Sequence, residues 1–369
     1  MKHTNYDVIN VSPDFVIKPI DGFGDKNLMR MCLVQVKPDA VVLFTDPRFF
    51  QAQFSMEDEI HGLCPIIFNH IWDNYPTPVF NRPLYESCDL INCINDVAYQ
   101  TCKSMFPERT NYIPHAVPKD MYFPLPEEQV KSARRKFLQE KENDFVCLFV
   151  GRNARRKMTA DIIHSWKLFI DNLQAKHGHK NATLLMHTDP LDQEGPNLHA
   201  VIEERGIQDN IVFSKERTGF NEMNILYNVC DTIVNISSAE GFGLPILEAK
   251  MCGKPVIAIA TGGLTKQVID DETSKEYGVA LVPEVKSVVG TQQIHFIYED
   301  YVSQQAVADA YMKMYEMPAE ERKSLGQAAM NHARNKYSLD HMVKRWDETL
   351  MDTIENWRAK YTRWENIEL

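Results

Sequence analysis

Residues 235–255 read NISSAEGFGLPILEAKMCGKP. The apolar start of this stretch predicts a buried strand that ends at Ser237, and a glycine-containing turn follows it. Pro245 suits the first position of a helix, because its missing N–H would have no partner there anyway. Gly253 and Pro255 are typical of the end of that helix. The stretch therefore predicts a strand, a tight turn and a helix in immediate succession.

The turn before this helix is a candidate anion-binding site. The backbone N–H groups within residues 242–246, where Pro245 has none, point out of the helix N-terminus, so they favour an anion such as a diphosphate. In an open α/β sheet such a turn lies at the carboxyl ends of the strands, where ligands bind. Glu240 and Glu248 are close enough to this turn to contact sugar hydroxyls beside the anion. The alternative makes Glu248 a stabilising charge near the helix N-terminus, and Gly241 and Gly243 a purely structural turn.

Strands and helices alternate on either side of this unit. Short apolar runs separated by helix-length segments are typical of parallel strands joined by crossover helices. The pattern therefore predicts an α/β fold built on doubly wound parallel sheets. The predicted strands are 40–44, 65–68, 90–94 and 110–113 in the first half, and 145–150, 183–186, 211–213, 232–236 and 256–260 in the second.

A change of composition near Pro118 predicts a domain boundary. Pro118, Pro124 and Pro126 lie close together, and a charged stretch follows them. Proline-rich and charged segments of this kind are typical of interdomain linkers. We expect a first domain over residues 1–120, a linker and connecting helix over 121–144, a second domain over 145–338 and a C-terminal helical segment over 339–369.

Composition excludes several classes of protein. The 369 residues include 40 Lys and Arg against 51 Asp and Glu, which gives a net charge of −11. So acidic a surface repels phosphate polymers and argues against general nucleic-acid binding. No stretch has the length and apolarity of a membrane span, although peripheral membrane contact is left open. Eight scattered cysteines without a C-x-x-C pair predict reduced thiols and a cytoplasmic protein.

The pattern of residues 235–255 resembles the signature of the retaining glycosyltransferases known as group 1, or family 4, which have the GT-B fold. That signature places a Gly-Phe-Gly turn between two Glu residues eight positions apart, as Glu240 and Glu248 are. The agreement continues through residues 249–258 and into the glycine pair at 262–263. The resemblance implies two Rossmann-like domains that face a cleft, with a C-terminal helix that crosses back to the first domain.

The resemblance also implies roles for the residues of this signature. Glu240 would lie near the transferred sugar as a catalytic residue, and Glu248 would bind the ribose hydroxyls of a nucleotide-sugar. The turn amides would contact the diphosphate. These donor-binding turn residues are Gly241, Phe242, Gly243 and Leu244.

A basic loop supports this interpretation. Family members have a Gly-Arg at the end of a strand and a Lys about five residues further on, and Arg152 and Lys157 match that spacing. Two cations opposite a helix N-terminus would neutralise a diphosphate as its bond to the sugar breaks. We therefore expect Arg152 and Lys157 in the catalytic site and interpret Arg155 and Arg156 as solvated. Met158 stands where the family has a Gly, which predicts a different loop shape.

Other strand ends supply weaker candidates. His187 is expected to contact the nucleotide, with a simple turn at the strand end as the alternative, and Phe213 is expected beside the base. His70 follows a first-domain strand and resembles the histidine that relatives place beside the transferred sugar. A structural histidine is the alternative for His70. Residues 46–48 end another strand and are candidates to face the acceptor.

The expected activity is retaining, metal-independent transfer of a sugar from a UDP- or GDP-linked donor to a glycan, lipid or protein acceptor. The sequence contains no Asp-x-Asp motif placed to hold a divalent cation, and the resemblance implies no cofactor. The first domain is shorter than the resemblance predicts, through truncation or by nature. A non-catalytic nucleotide-sugar-binding protein and a GT-B-fold epimerase are the alternatives, and the intact signature disfavours the epimerase.

Overall fold

The computed structural model describes residues 8–214 and 218–360. Fourteen strands are found in this part of the chain, and they form four separate sheets. They are β1 (Ile9–Ser12), β2 (Phe15–Ile17), β3 (Val41–Thr45), β4 (Ile66–His70), β5 (Leu90–Cys93), β6 (Thr110–Tyr112), β7 (Phe145–Val150), β8 (Ala182–His187), β9 (Ile211–Phe213), β10 (Thr232–Asn235), β11 (Val256–Ile259), β12 (Gly278–Leu281), β13 (Val285–Val289) and β14 (Ile297–Tyr301).

Helices follow most of these strands, and short 3₁₀ turns occur between them. The α-helices within the described ranges are α1 (Lys26–Val36), α2 (Gln51–Phe54), α3 (Glu57–His61), α4 (Arg82–Glu86), α5 (Asp96–Met105), α6 (Glu127–Leu138), α7 (Thr159–His177), α8 (Leu198–Arg205), α9 (Phe220–Val229), α10 (Leu244–Met251), α11 (Thr265–Val268), α12 (Gln304–Glu316), α13 (Ala319–Lys336) and α14 (Leu339–Lys360).

The second half contains a six-stranded parallel sheet in the order β12-β11-β10-β7-β8-β9. Its central strands are apolar throughout, and every residue of β10 and β11 is buried because helices cover both faces. Trp166 and Phe169 of α7 are fully buried in the same core. This sheet confirms the predicted doubly wound architecture and adds β12, which the sequence pattern did not predict.

The first half contains a smaller parallel sheet in the order β3-β4-β5-β6. Its core includes Leu43, Ile66, Phe68 and Ile91, all of which are buried. At the edge strand β3 only one face is covered. The exposure of Val42 and Phe44, 49% each, marks the uncovered face. The two parallel sheets flanked by helices confirm the α/β class and two Rossmann-like domains.

An antiparallel hairpin of β13 and β14 follows the second-domain sheet and was not predicted. Tyr298 N donates to Tyr75 O (2.8 Å), and Asn74 Nδ2 donates to Tyr298 O (2.7 Å). On the opposite side, Asp300 N donates to Ser238 O (2.9 Å). The hairpin therefore contacts both domains at the edge of the space between them.

The last helix, α14, lies against the first domain. Arg345 Nη2 donates to Tyr112 O (2.5 Å), and Asn111 Nδ2 donates to Thr349 Oγ1 (3.2 Å). Further along, the ring of Trp357 stacks on that of His61. The predicted C-terminal segment extends to residue 369, and residues 361–369 lie outside the described ranges. Across residues 8–214 and 218–360, no helix has the length and apolarity needed to span a membrane.

Candidate functional site

A cleft of about 570 Å³ lies between the two domains. The first domain supplies the segments that follow β3, β4 and β5, and the second domain supplies the turn between β10 and α10. Both walls are thus carboxyl ends of parallel strands, the expected place for a ligand. The lining residues that matter below are Asp46, Arg48, Asp73, Asn74, His115, Arg156, residues 239–245 and Glu299.

The turn after β10 is tightly fixed. Asn235 Oδ1 accepts hydrogen bonds from Ser237 N (3.0 Å) and Ser237 Oγ (2.6 Å), which turns the chain out of the strand. Gly243 has φ +87°, and a Cβ at this position would lie 2.4 Å from the Leu264 side chain. Only glycine fits there without strain. Helix α10 begins at Leu244, one residue before the predicted start, with Pro245 in its first turn.

This turn presents unbonded amides to the cleft. Within the described ranges, the N–H groups of Gly241, Phe242 and Gly243 donate no hydrogen bond to another group. The Phe242 carbonyl accepts a hydrogen bond from Gln267, and Lys250 donates to the Gln267 carbonyl (2.5 Å). Gln267 therefore fixes both the helix and the turn, while the donors at the helix N-terminus remain available to an anion.

Glu240 is a buried carboxylate surrounded by donors. It forms an ion pair with Lys157, lies 3.7 Å from Arg156 Nη1 and accepts from Ser237 Oγ (3.3 Å). Burial by itself would raise the pKa of Glu240, but Lys157 and Arg156 outweigh burial and lower it. Burial lowers the pKa of Lys157 despite its carboxylate partner. The structure thus brings Glu240 and Lys157 together beside the turn.

The basic loop is arranged differently from the prediction. Arg156, interpreted as solvated, lines the cleft, and its Nη1 donates to Ala239 O (2.8 Å). Arg155 donates to both oxygens of Glu299 (3.0 and 2.6 Å). Met158 adopts φ +54°, the left-handed conformation that glycine favours, so the loop keeps a glycine-like turn. Both side chains are exposed as predicted, at 66% for Arg155 and 44% for Arg156, but the prediction did not include these partners.

Arg152 lies outside the cleft lining. Its guanidinium is exposed and donates to Asp192 (2.7 and 3.1 Å), and it lies 2.9 Å from Glu194. These carboxylates hold the side chain against the loop after β8, which accounts for its distance from the turn. In this structure Arg156 therefore occupies the position in the cleft that was expected of Arg152.

His70 does not face the cleft. The residue ends β4 as predicted, but its side chain is fully buried in the first-domain core. Its Nε2 is 2.9 Å from Tyr85 Oη, and its ring packs beside those of Phe68 and Trp72. Since successive side chains of a strand point to opposite faces, the strand end alone did not determine the direction. The prediction of a cleft-facing His70 is wrong, and the structural alternative fits.

Asp73, three residues after His70, lines the cleft instead. Burial raises its pKa to about 6, while Arg156 across the cleft opposes this shift and Glu240 adds to it. Its carboxylate forms no hydrogen bond with another side chain in the described ranges. Sequence reasoning missed Asp73, although its position just after a parallel strand was an available signal.

The remaining donor-binding candidates lie outside the lining of this cavity. Glu248 is the fifth residue of α10, in the second turn rather than the first, and accepts a hydrogen bond from Tyr227 Oη. Burial raises the pKa of Glu248. His187 Nδ1 is 3.1 Å from Ser214 Oγ, and Phe213 ends the neighbouring strand β9. The contacts of these side chains with a nucleotide stay predictions.

The fold and the cleft define a class: two Rossmann-like domains of the GT-B type, with a candidate anion-binding turn on the second domain. Residues 130–332 match the family Glycosyl transferases group 1. This match covers more than half of the chain, and the protein belongs to that family.

Curated relatives match over shorter stretches. The D-inositol 3-phosphate glycosyltransferase of Stackebrandtia nassauensis is 45% identical over 73 residues, which are 20% of this chain and 16% of the relative. The enzyme of the same name from Salinispora tropica is 30% identical over 150 residues, which are 41% of this chain and 24% of the relative. The aligned segments thus span a quarter or less of these two relatives.

Solved structures match over most of the chain. HepE of Anabaena, in complex with UDP and glucose, has a TM-score of 0.68 at 16% identity and covers 90% of this chain and 84% of its own. Sucrose-phosphate synthase of Thermosynechococcus elongatus has a TM-score of 0.73 at 15% identity and covers 95% of this chain and 86% of its own. At this identity the likeness establishes the fold.

Proposed function

We propose that this protein transfers a sugar from a nucleoside diphosphate sugar to an acceptor hydroxyl, with retention at the anomeric carbon and without a metal ion. The observation that carries the proposal is the set of unbonded amides at Gly241, Phe242 and Gly243, next to Lys157 and Arg156. A helix N-terminus flanked by two cations is suited to a diphosphate. Structures of the related HepE contain UDP or UDP-glucose, which supports a UDP-linked donor.

The chain's own groups can supply the charge that the reaction needs. Negative charge develops on the diphosphate as its bond to the sugar breaks, and Lys157, Arg156 and the turn amides are donors fixed in advance. Glu240 holds Lys157 in place and lies where it can accept from a hydroxyl of the transferred sugar. In this proposal the departing phosphate accepts the acceptor's proton, which is consistent with attack from the same face and with retention.

Nucleotide binding tests the first half of this proposal. We expect UDP or GDP to bind with micromolar affinity in calorimetry and to raise the melting temperature, in the presence and absence of EDTA alike. In this proposal Lys157 and Arg156 supply the positive charge that the diphosphate needs, so chelating metal ions should not weaken binding. Loss of binding in EDTA would contradict metal independence, and failure of every nucleoside diphosphate would overturn the proposal.

Transfer tests the second half. Incubation with UDP- and GDP-sugars and a panel of hydroxyl acceptors should release nucleoside diphosphate, and NMR of the product should show the donor's anomeric configuration. An inverted product would exclude retention. Tight donor binding with neither transfer nor hydrolysis would favour a non-catalytic nucleotide-sugar-binding protein.

A further inference from the structure

The cleft is lined by more carboxylates than cations. Among the residues that line it, the charged side chains are four carboxylates and two guanidiniums, and Lys157 and Arg155, outside the lining, pair with two of these carboxylates, Glu240 and Glu299. His115, also in the lining, does not change this balance, because burial lowers its pKa. The carboxylates are Asp46, Asp73, Glu240 and Glu299, and the guanidiniums are Arg48 and Arg156.

Two of the cations in and beside the cleft are already committed to carboxylates. Arg48 donates through Nε (2.8 Å) and Nη2 (2.6 Å) to the two oxygens of Asp46, a bidentate pair. Arg155, just behind the lining, donates in the same way to Glu299. Bidentate pairs of this kind are strong and specific in geometry. An anionic ligand would have to break one of these pairs to gain the Arg48 or the Arg155 guanidinium.

The two cations on the second-domain wall share one carboxylate, Glu240, and are not held in a bidentate pair. Arg156 and Lys157 both lie beside Glu240, next to the turn amides. A donor diphosphate bound at that turn would neutralise them. The opposite wall then presents the Asp46–Arg48 pair, which is neutral as a unit, together with the Asp73 carboxylate and the Asn74 amide. The wall that faces the acceptor thus has a net negative charge.

We propose that the acceptor is an uncharged polyol, such as a neutral sugar, and that Asp73 binds one of its hydroxyl groups. The inference rests on the proposed function, since it assigns the diphosphate to the second-domain wall. A hydroxyl can donate to the Asp73 carboxylate, which has no other side chain bonded to it in the described ranges. A phosphorylated acceptor would place like charge beside Asp73 and would find no unpaired guanidinium on that wall.

Matched acceptors test this proposal in the 369-residue chain. Glucose is compared with glucose 6-phosphate, and inositol and glycerol with their monophosphates, by release of nucleoside diphosphate from the donor selected by binding. We expect at least one neutral member to be used with kcat/KM at least about tenfold above its phosphorylated partner, the ratio for one uncompensated like charge nearby. Equal or better use of the phosphorylated members overturns the proposal. Donor binding without transfer to any member overturns it too.

Substitutions in the cleft sharpen the test. Asp46→Asn releases the Arg48 guanidinium yet keeps an oxygen for the backbone hydrogen bond at Arg48 N, so it should raise relative use of the phosphorylated acceptor about fivefold or more. Asp73→Asn should raise KM for the neutral acceptor and leave nucleotide affinity unchanged. Asp347→Asn on the exposed side of α14 is the matched control and should change neither ratio. If Asp46→Asn and Asp73→Asn behave like this control, in proteins with unchanged melting temperature, the proposal is wrong.

The proposed function and the proposal about the acceptor can be overturned independently. If no nucleoside diphosphate binds, the proposed function fails. If nucleotide binds and the donor is turned over, but phosphorylated acceptors are preferred, the proposed function stands and only the inference about the acceptor is overturned.

Discussion

The Glu240 and Asp73 carboxylates, one on each wall of the cleft, differ in how firmly they are held. On the second-domain wall, Glu240 has Lys157, Ser237 and Asn235 as partners, and the turn beside it is fixed by Gln267. On the first-domain wall, the Asp73 carboxylate has no side-chain partner in the described ranges. If the second-domain wall binds the nucleotide as proposed, this difference means that the nucleotide part of the site is organised before any ligand arrives. The proposed acceptor part would be completed by the substrate.

A small number of amide side chains join the two walls. Asn95 Nδ2 donates to Trp72 O and Gly241 O (2.7 Å each), and Asn74 Nδ2 donates to Tyr298 O. One asparagine thus spans both domains at the glycine turn. Substitutions on the second-domain wall should therefore affect nucleotide binding and turnover, whereas those on the first-domain wall should affect turnover alone.

Lys157→Ala should have the largest effect. It removes a diphosphate contact and leaves Glu240, buried at 7% exposure, with Arg156 as its remaining cation. Turnover should fall about 10²–10³-fold, the usual loss for a group that stabilises developing charge. Steady-state kinetics and UDP or GDP calorimetry measure the two losses. A variant that keeps normal nucleotide affinity would show that the second-domain wall does not bind the diphosphate.

Arg156→Ala and Arg152→Ala form a matched pair on the same loop. Arg156 lines the cleft, whereas Arg152 is bonded to Asp192 outside it. We expect Arg156→Ala to weaken nucleotide binding about tenfold, since a charge-assisted hydrogen bond contributes about 1.5–3 kcal/mol. Arg152→Ala should weaken it less than about twofold. The reverse order, measured by calorimetry, would restore the assignment that the family resemblance implied.

The second-domain wall of the cleft could be predicted from the sequence, and the first-domain wall largely could not. Glu240, the glycine turn and α10 lie within one continuous stretch, so local rules for strands, turns and helix starts place them. Arg156 and Arg152 show where such rules end, because loop residues four apart were distinguished only by carboxylates that the chain brings from elsewhere. The hairpin of β13 and β14 was missed because its strands alternate weakly and its contacts are with distant segments.

The pH dependence of transfer tests the proposed role of Asp73 on the first-domain wall. Burial raises the pKa of Asp73 to about 6, so lowering the pH through 6 neutralises the carboxylate. Turnover should therefore fall as pH decreases and be about tenfold lower at pH 5 than at pH 8, with nucleotide affinity nearly constant. Of the groups that face Asp73, Lys157 and Glu240 have lowered pKa values.

Asp73→Asn is the control for this pH profile. The acidic limb should disappear in the variant, and a limb that persists would assign the titration to another group. Because the pKa of Asp73 in the folded protein lies above its ordinary value, ionisation destabilises the fold as pH rises toward and past 6. Asp73→Asn should therefore be at least as stable as the parent at pH 7, by thermal unfolding.

His70→Ala should have the smallest effect on nucleotide binding, although it lies three residues from Asp73. Its side chain is fully buried and bonded to Tyr85, so its loss leaves a cavity and leaves the Tyr85 hydroxyl with Asn81 Nδ2 as its remaining hydrogen-bond partner among the described residues. We expect the free energy of unfolding to fall by about 2–4 kcal/mol. Nucleotide affinity should change less than about twofold, because the second-domain wall keeps all its partners.

Tyr85→Phe separates the histidine's packing from its hydrogen bond. This variant keeps the ring and removes the hydroxyl that pairs with His70 Nε2, so it should cost about 1 kcal/mol of stability and leave turnover nearly unchanged. If His70→Ala, at a temperature where it is fully folded, loses turnover far beyond Tyr85→Phe while retaining nucleotide affinity, then His70 acts on the reaction. In that event the part of the first domain that acts on the reaction would extend from the cleft wall into the first-domain core.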